Sequence, residues 1–107
     1  MLTAKQINSL DAYFGFALRK KAIYVGQKME EMLGKKKADF LLILPSCTSK
    51  KEAELSRYQE KNPHLVIYRY TGSYDVKGML GYELLNALCI TDKNLASAIH
   101  KVLQEDK

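Results

Sequence analysis

Side chains able to do chemistry are few in this chain, and Cys47 is the first to weigh. It stands just past a continuous apolar stretch and just before a helix start. There a helix dipole lowers a thiol pKa, and α/β folds collect anions. A thiolate at such a place is a nucleophile or a phosphoryl acceptor. A loop that grips a phosphoryl group wants a guanidinium close by, yet the sixth residue after Cys47 is Ala53. The plainer reading of Cys47 is a small residue at a strand end. Cys89 lies inside an apolar run and reads as core, His64 follows a proline, and His100 adjoins Ile99. The two cysteines and two histidines lack metal-ligand spacing, and the six glycines contain no Gly-x-Gly phosphate loop. No metal and no cofactor is implied.

Charge points elsewhere. Of the formal net charge of +5, residues 1–51 hold the whole excess, with ten Lys or Arg against four Asp or Glu. The excess comes in clusters at Arg19-Lys20-Lys21, Lys35-Lys36-Lys37 and Lys50-Lys51. Phosphate backbones attract such clusters by counterion release, whereas a solvated basic surface only keeps a small protein soluble. Gly26 opens a helix whose free N–H groups can receive phosphates or base edges, and Gln27 and Lys28 follow as donors. Tyr82 and Leu84, just after Gly81, can pack on an unpaired base or form the rim of the core.

These residues need elements to hold them. With 107 residues, 47% apolar and 27% charged, the chain makes one globular domain over 1–107. Its longest apolar run, Phe40 to Pro45, falls far short of the roughly 20 residues that cross a bilayer. Thr3, Lys5, Gln6 and Asn8 interrupt any signal-peptide core, and two cysteines without Cys-x-x-Cys fit a reducing, cytoplasmic setting. Thr3 and Gln6 form a capping box for a first helix over about 4–20. A short strand over 22–25 precedes the Gly26 helix, for which Gly34 is the natural stop. Residues 39–44 read as a strand buried on both faces. Ser49 and Glu52 suggest a second capping box for a helix over about 50–61, with Ala53, Leu55 and Tyr58 inward. A strand over 64–70, a short helix around Val76–Leu80, a strand over 84–90 and a closing amphipathic helix after Asp92 complete the order. Such alternation predicts an α/β protein, a three-layer α/β/α sandwich.

The pattern also resembles a known family. Phe14 to Gly26, with its Ala17-Leu18-Arg19-Lys20-Lys21 turn, is similar to the opening of the bacterial YlxQ-like proteins. These are small relatives of the ribosomal proteins that bind kink-turn RNA. Ala38 to Leu44, Asp75 to Gly81 and Cys89 to Asp92 resemble the family's later blocks, in the family's order, across about residues 7–103. The resemblance implies an α/β/α sandwich with a four-stranded mixed sheet. It also implies contact with structured RNA at the start of the second helix. Gly26 keeps the glycine of the family's Gly-x-Asn-Glu-x-x-Lys motif, while Lys28 and Met29 stand where it has Asn and Glu.

The expectation is therefore a non-enzymatic RNA-binding protein associated with ribosomal RNA or the ribosome. Arg19, Lys20, Lys21 and Lys28 would meet phosphates, Gly26 and Gln27 would present the helix end, and Tyr82 and Leu84 would pack on an extruded base. Two alternatives stand beside it. One is a Cys47-dependent enzyme, since Leu44 to Ser49 loosely resembles the phosphocysteine loop of sugar-transport phosphocarriers. The other is a protein-interaction module that kept the fold and lost RNA binding.

Overall fold

Thr3 starts the first helix as the capping box requires: its hydroxyl accepts the Gln6 N–H at 3.1 Å, and the Gln6 side chain accepts the Thr3 N–H at 2.8 Å. In the computed structural model, which describes residues 1–106, that helix is α1 (Ala4–Arg19). There follow β1 (Ile23–Val25), α2 (Gly26–Gly34), β2 (Phe40–Ile43), α3 (Ser49–Ser56) and α4 (Tyr58–Lys61). The chain continues through β3 (Val66–Arg69), α5 (Val76–Met79), β4 (Ala87–Ile90) and α6 (Lys93–Gln104).

The strands form one mixed sheet in the order β1-β4-β2-β3. β4 is antiparallel to both β1 and β2, and β2 is parallel to β3. Both central strands are buried at every position, because successive side chains enter different layers. Phe40, Leu42, Leu88 and Ile90 pack with Leu10 and Phe14 of α1 and Ile99 and Leu103 of α6. Leu41, Ile43, Ala87 and Cys89 pack on the other face with Met29 and Leu33 of α2 and Leu55 of α3. This is the expected three-layer α/β/α arrangement with four strands.

Several local expectations are corrected. The cap of α3 is Thr48, whose hydroxyl accepts the Lys51 N–H at 3.1 Å. Ser49 is instead the first helical residue, and Glu52 pairs with Arg69 rather than closing a box. The expected helix over 50–61 divides at Arg57, and Ala53 is exposed while Leu55 is buried. The last strand begins at Ala87, so Leu84 lies in the loop before it.

α2 ends at Gly34 as expected, but the left-handed position falls at Lys36, with φ 61°. The Lys37 N–H reaches back to the Met32 carbonyl at 3.0 Å and the Lys36 N–H to Leu33 at 3.2 Å, a Schellman motif. α1 ends the same way, with Lys21 at φ 55° and the Ala22 N–H on the Ala17 carbonyl at 2.8 Å. α5 ends so with a glycine, Gly81 at φ 82°.

Candidate functional site

The start of α2 is open. Val25 is the N-cap residue, in extended conformation, and makes no side-chain capping bond. Gly26 turns the chain into the helix at φ 60°, and a Cβ added there would meet no atom within 4 Å. Its neighbours Gln27 and Lys28 are exposed, while Met29 and Leu33 bury the inner face of the helix and fix its direction. A first turn with unoccupied N–H groups carries about half a positive charge.

The facing wall is the loop that follows α5. The Gly81 turn is closed by the Tyr82 N–H on the Lys77 carbonyl at 2.8 Å. At its far end Leu85 is buried, the Ser46 hydroxyl lies 2.9 Å from both the Leu85 carbonyl and Asn86 Oδ1, and the Leu44 N–H donates to the Asn86 carbonyl. Held at both ends, the loop leaves Tyr82 41% and Leu84 84% exposed. Gly26, Gln27, Met29, Lys51, Tyr82 and Leu84 line one groove of about 370 Å³ between this loop and α2. Its one lining cation, Lys51, lies 3.5 Å from Glu30 and 3.8 Å from Glu54.

The structure thus brings Gly26, Gln27, Tyr82 and Leu84 together, with Lys28 on the same first turn of α2. It does not bring Arg19, Lys20 or Lys21 there, and the expected convergence of that cluster on Gly26 is corrected. β1 runs between them, and five residues of near-extended chain cover roughly 15 Å. Lys20 is held 2.5 Å from Asp92 at the other end of the sheet, and it is the main reason that the Asp92 carboxyl sits below its usual pKa. The Arg19 guanidinium lies 4.8 Å from the centre of the Phe16 ring. Sequence reasoning missed Lys51, Glu30 and Asn86 as parts of the groove. In the sequence Lys51 is visible only as half of a basic pair, with nothing local to say which element it would face.

Cys47 is buried, and its Sγ points at the Thr48 carbonyl at 3.6 Å. Burial raises its pKa first and the Glu52 carboxylate second, outweighing Arg69 and Lys51. A protonated, covered thiol is the opposite of what nucleophilic or phosphoryl-accepting chemistry needs. Cys89 is fully buried, and burial pushes its thiol up to about 12. His100 stands between the rings of Phe40 and Tyr68, at 5.1 and 4.9 Å, and burial lowers its pKa. His64 lies 3.8 Å from Asp39. Among the described residues no group of three His, Cys, Asp or Glu side chains is placed to hold a metal ion, and no helix is long and apolar enough to cross a membrane.

A second polar cluster fixes the segment leading to α5. The Tyr70 hydroxyl donates to Asp106 at 2.6 Å and accepts the Tyr74 N–H at 2.9 Å, while the Tyr74 hydroxyl donates to Asp11 at 2.6 Å. Burial and the Asp106 bond push the Tyr70 phenol up to about 12. The Tyr70 hydroxyl closes the turn as acceptor while both phenols donate to carboxylates, which ties the segment before α5 to α1 and to Asp106.

No protein-family model and no curated protein sequence matches the chain. Among solved structures, a protein with unknown function from Bacillus halodurans C is similar to it, with a TM-score of 0.75 at 8% sequence identity over 90% of this chain and 97% of that one. That likeness concerns the fold: a mixed α/β chain of this length and layering.

Proposed function

We propose that the protein binds structured RNA without catalysing a reaction on it, and that it does so in the groove between α2 and the Tyr82 loop. The observation that carries this reading is the meeting of an uncapped, glycine-opened helix end with an exposed tyrosine and leucine across one groove. Helix N–H groups suit phosphates or base edges, and an aromatic–aliphatic shelf suits an unstacked base. Gln27 adds an amide that both donates and accepts, and Lys28 adds an exposed charge on the same first turn. The family resemblance points to the same helix end and to ribosomal RNA or the ribosome as the source of the ligand. Unpaired thiols at Cys47 and Cys89 suit the cytoplasm, where such RNA is found.

A second reading, a protein-interaction surface, draws on the charge balance around Lys51 and on the exposure of Leu84. Salt separates the two. Binding of looped ribosomal RNA fragments, followed by fluorescence anisotropy, should weaken steeply with rising salt. Leu84→Ala and Lys28→Glu should each weaken it about tenfold or more. Absence of binding at low salt, or a flat salt response, would overturn the RNA reading in favour of a protein partner.

A further inference from the structure

Arg19–Lys21, which miss the groove, have other cations beside them. Ile23, Ile90, Phe40 and Val66 form one row across the sheet. The connections that meet this row are residues 20–22, 35–39, 62–65 and 91–92, with Arg19 the last residue of α1 and Lys93 the first of α6. Two bonds tie them closely: the Thr91 N–H donates to the Ala22 carbonyl at 2.9 Å, and the Asp39 N–H to the Ile90 carbonyl at 3.0 Å. Asp39, His64 and Lys93 line one cleft there. The sheet therefore gathers Arg19–Lys21, Lys35–Lys37 and Lys93 at a single end, the end opposite the groove.

Asp39 and Asp92 are the carboxylates within these connections, and Glu30, Glu54 and Glu60 share a neighbouring cleft with Lys36, Arg57 and Lys61. Only Lys20 is neutralised, by Asp92; among the described residues Lys21, Lys35–Lys37 and Lys93 have no ion-pair partner. The C-termini of α1 and α2 supply about one negative charge between them, far too little to account for the excess. Two of the lysines are also pinned by the backbone. Lys21 and Lys36 occupy left-handed positions, which cost an L-residue about 1 kcal/mol and suit glycine better. Each is locked by its Schellman bonds, so its charge leaves the protein from a fixed point.

We propose that this basic pole is a second docking surface, one that takes the phosphate backbone of double-helical RNA. It rests on reading the protein as an RNA binder, but on none of the groove's residues. Lys21, Lys35–Lys37 and Lys93 are all exposed and stand on or beside the connections, and solvated cations of this kind suit backbone contact rather than base recognition. α2 separates the two surfaces by about 13 Å along its axis, so the groove would hold unpaired nucleotides while the pole rides on an adjoining helical segment.

The test uses a short blunt RNA duplex with no loop, titrated by anisotropy over a range of salt. The variant combines Lys21→Gly and Lys36→Gly, which suit their left-handed positions, with Lys35→Gln and Lys37→Gln at exposed sites; a thermal melt verifies its fold. For every phosphate that the variant no longer neutralises, the log–log salt slope should fall by about one. The expected result is a slope smaller by about three to four and affinity at low salt about a hundredfold weaker or more. Leu84→Ala should leave duplex binding unchanged. An unchanged slope in the quadruple variant overturns the pole even if Leu84→Ala abolishes binding of looped RNA. A reduced slope supports the pole even if Leu84→Ala affects no RNA, in which case the groove reading alone fails. If phosphatidylserine vesicles bind through the same lysines while the duplex does not, the surface faces a membrane and the proposal is wrong.

Discussion

Gly26→Ala tests the open helix end apart from the fold that carries it. At φ 60° an alanine is strained by its own backbone, while its methyl group would meet no atom of the protein within 4 Å. The strain costs about 1–2 kcal/mol, and a stiffer unfolded chain returns about 0.4–1 of it. The net loss is about 1 kcal/mol, or roughly 4–8 °C in melting temperature for a domain of this size. The methyl group would stand at the mouth of the groove, where it displaces the ligand rather than the protein. Losing one hydrogen bond from a helix N–H to a phosphate costs about 1.5–3 kcal/mol, roughly a ten- to 150-fold loss of affinity. Thermal melting and anisotropy on the same sample read both effects. Gly34→Ala is the control: its position is helical and open, and alanine there should stabilise by about 0.5–1 kcal/mol without touching binding. If Gly26→Ala loses the forecast stability yet binds looped RNA as well as the parent, the groove is not the site. If it melts like Gly34→Ala, the left-handed turn itself is wrong.

Two further outcomes concern the scaffold. Burial lowers the pKa of His100 below its ordinary 6.5, so on acidification the unfolded chain takes up the proton first. Stability should therefore be complete above about pH 6.5 and fall as pH drops through that value towards the lowered one. His100→Phe should flatten the melting temperature between about pH 7.5 and 5; an unaltered profile would remove His100 as the cause. Asp92 and Asp106 are both held below 3.8 by their partners Lys20 and Tyr70, so their contribution persists through that window and is lost only as pH falls through their lowered values. At the start of α3, Thr48→Ala should cost about 1 kcal/mol in a urea titration and Ser49→Ala only a few tenths; equal losses would show that the cap is shared.

Much of the fold is local enough to be read from the chain. Thr3 and Gln6 announce α1 by themselves, the unbroken Phe40–Ile43 run announces a strand covered on both faces, and the stripe of Ile99 and Leu103 announces α6. The part of the candidate groove built on Gly26, Tyr82 and Leu84 is legible for the same reason: each sits at or just after a turn marked by a glycine. What escaped depends on direction and register. Whether Arg19–Lys21 faces Gly26 turns on which end of β1 each cluster adjoins. Whether Lys35–Lys37 lies near it turns on Ile90 pairing with both Ile23 and Phe40. Neither is written in spacing. The lysines at 21 and 36 mislead for another reason, since left-handed helix ends are read from glycine and here the nearby Gly34 draws attention away from Lys36.

The position of β4 in the sheet has a consequence for synthesis. It follows the other three strands of this sheet in the chain, yet it lies between β1 and β2. Until residues 87–90 have left the ribosome, β1 has no neighbour to pair with and β2 has only β3. The nascent chain thus emerges with the inner faces of α1 and α2 waiting on an unfinished platform, and closure joins segments far apart in sequence. Such distant pairing is slow and leaves sticky surface uncovered in the interval. A chaperone at the tunnel exit would meet this protein at that stage, and a stop codon before Ala87 would yield a product with no route to the finished sheet.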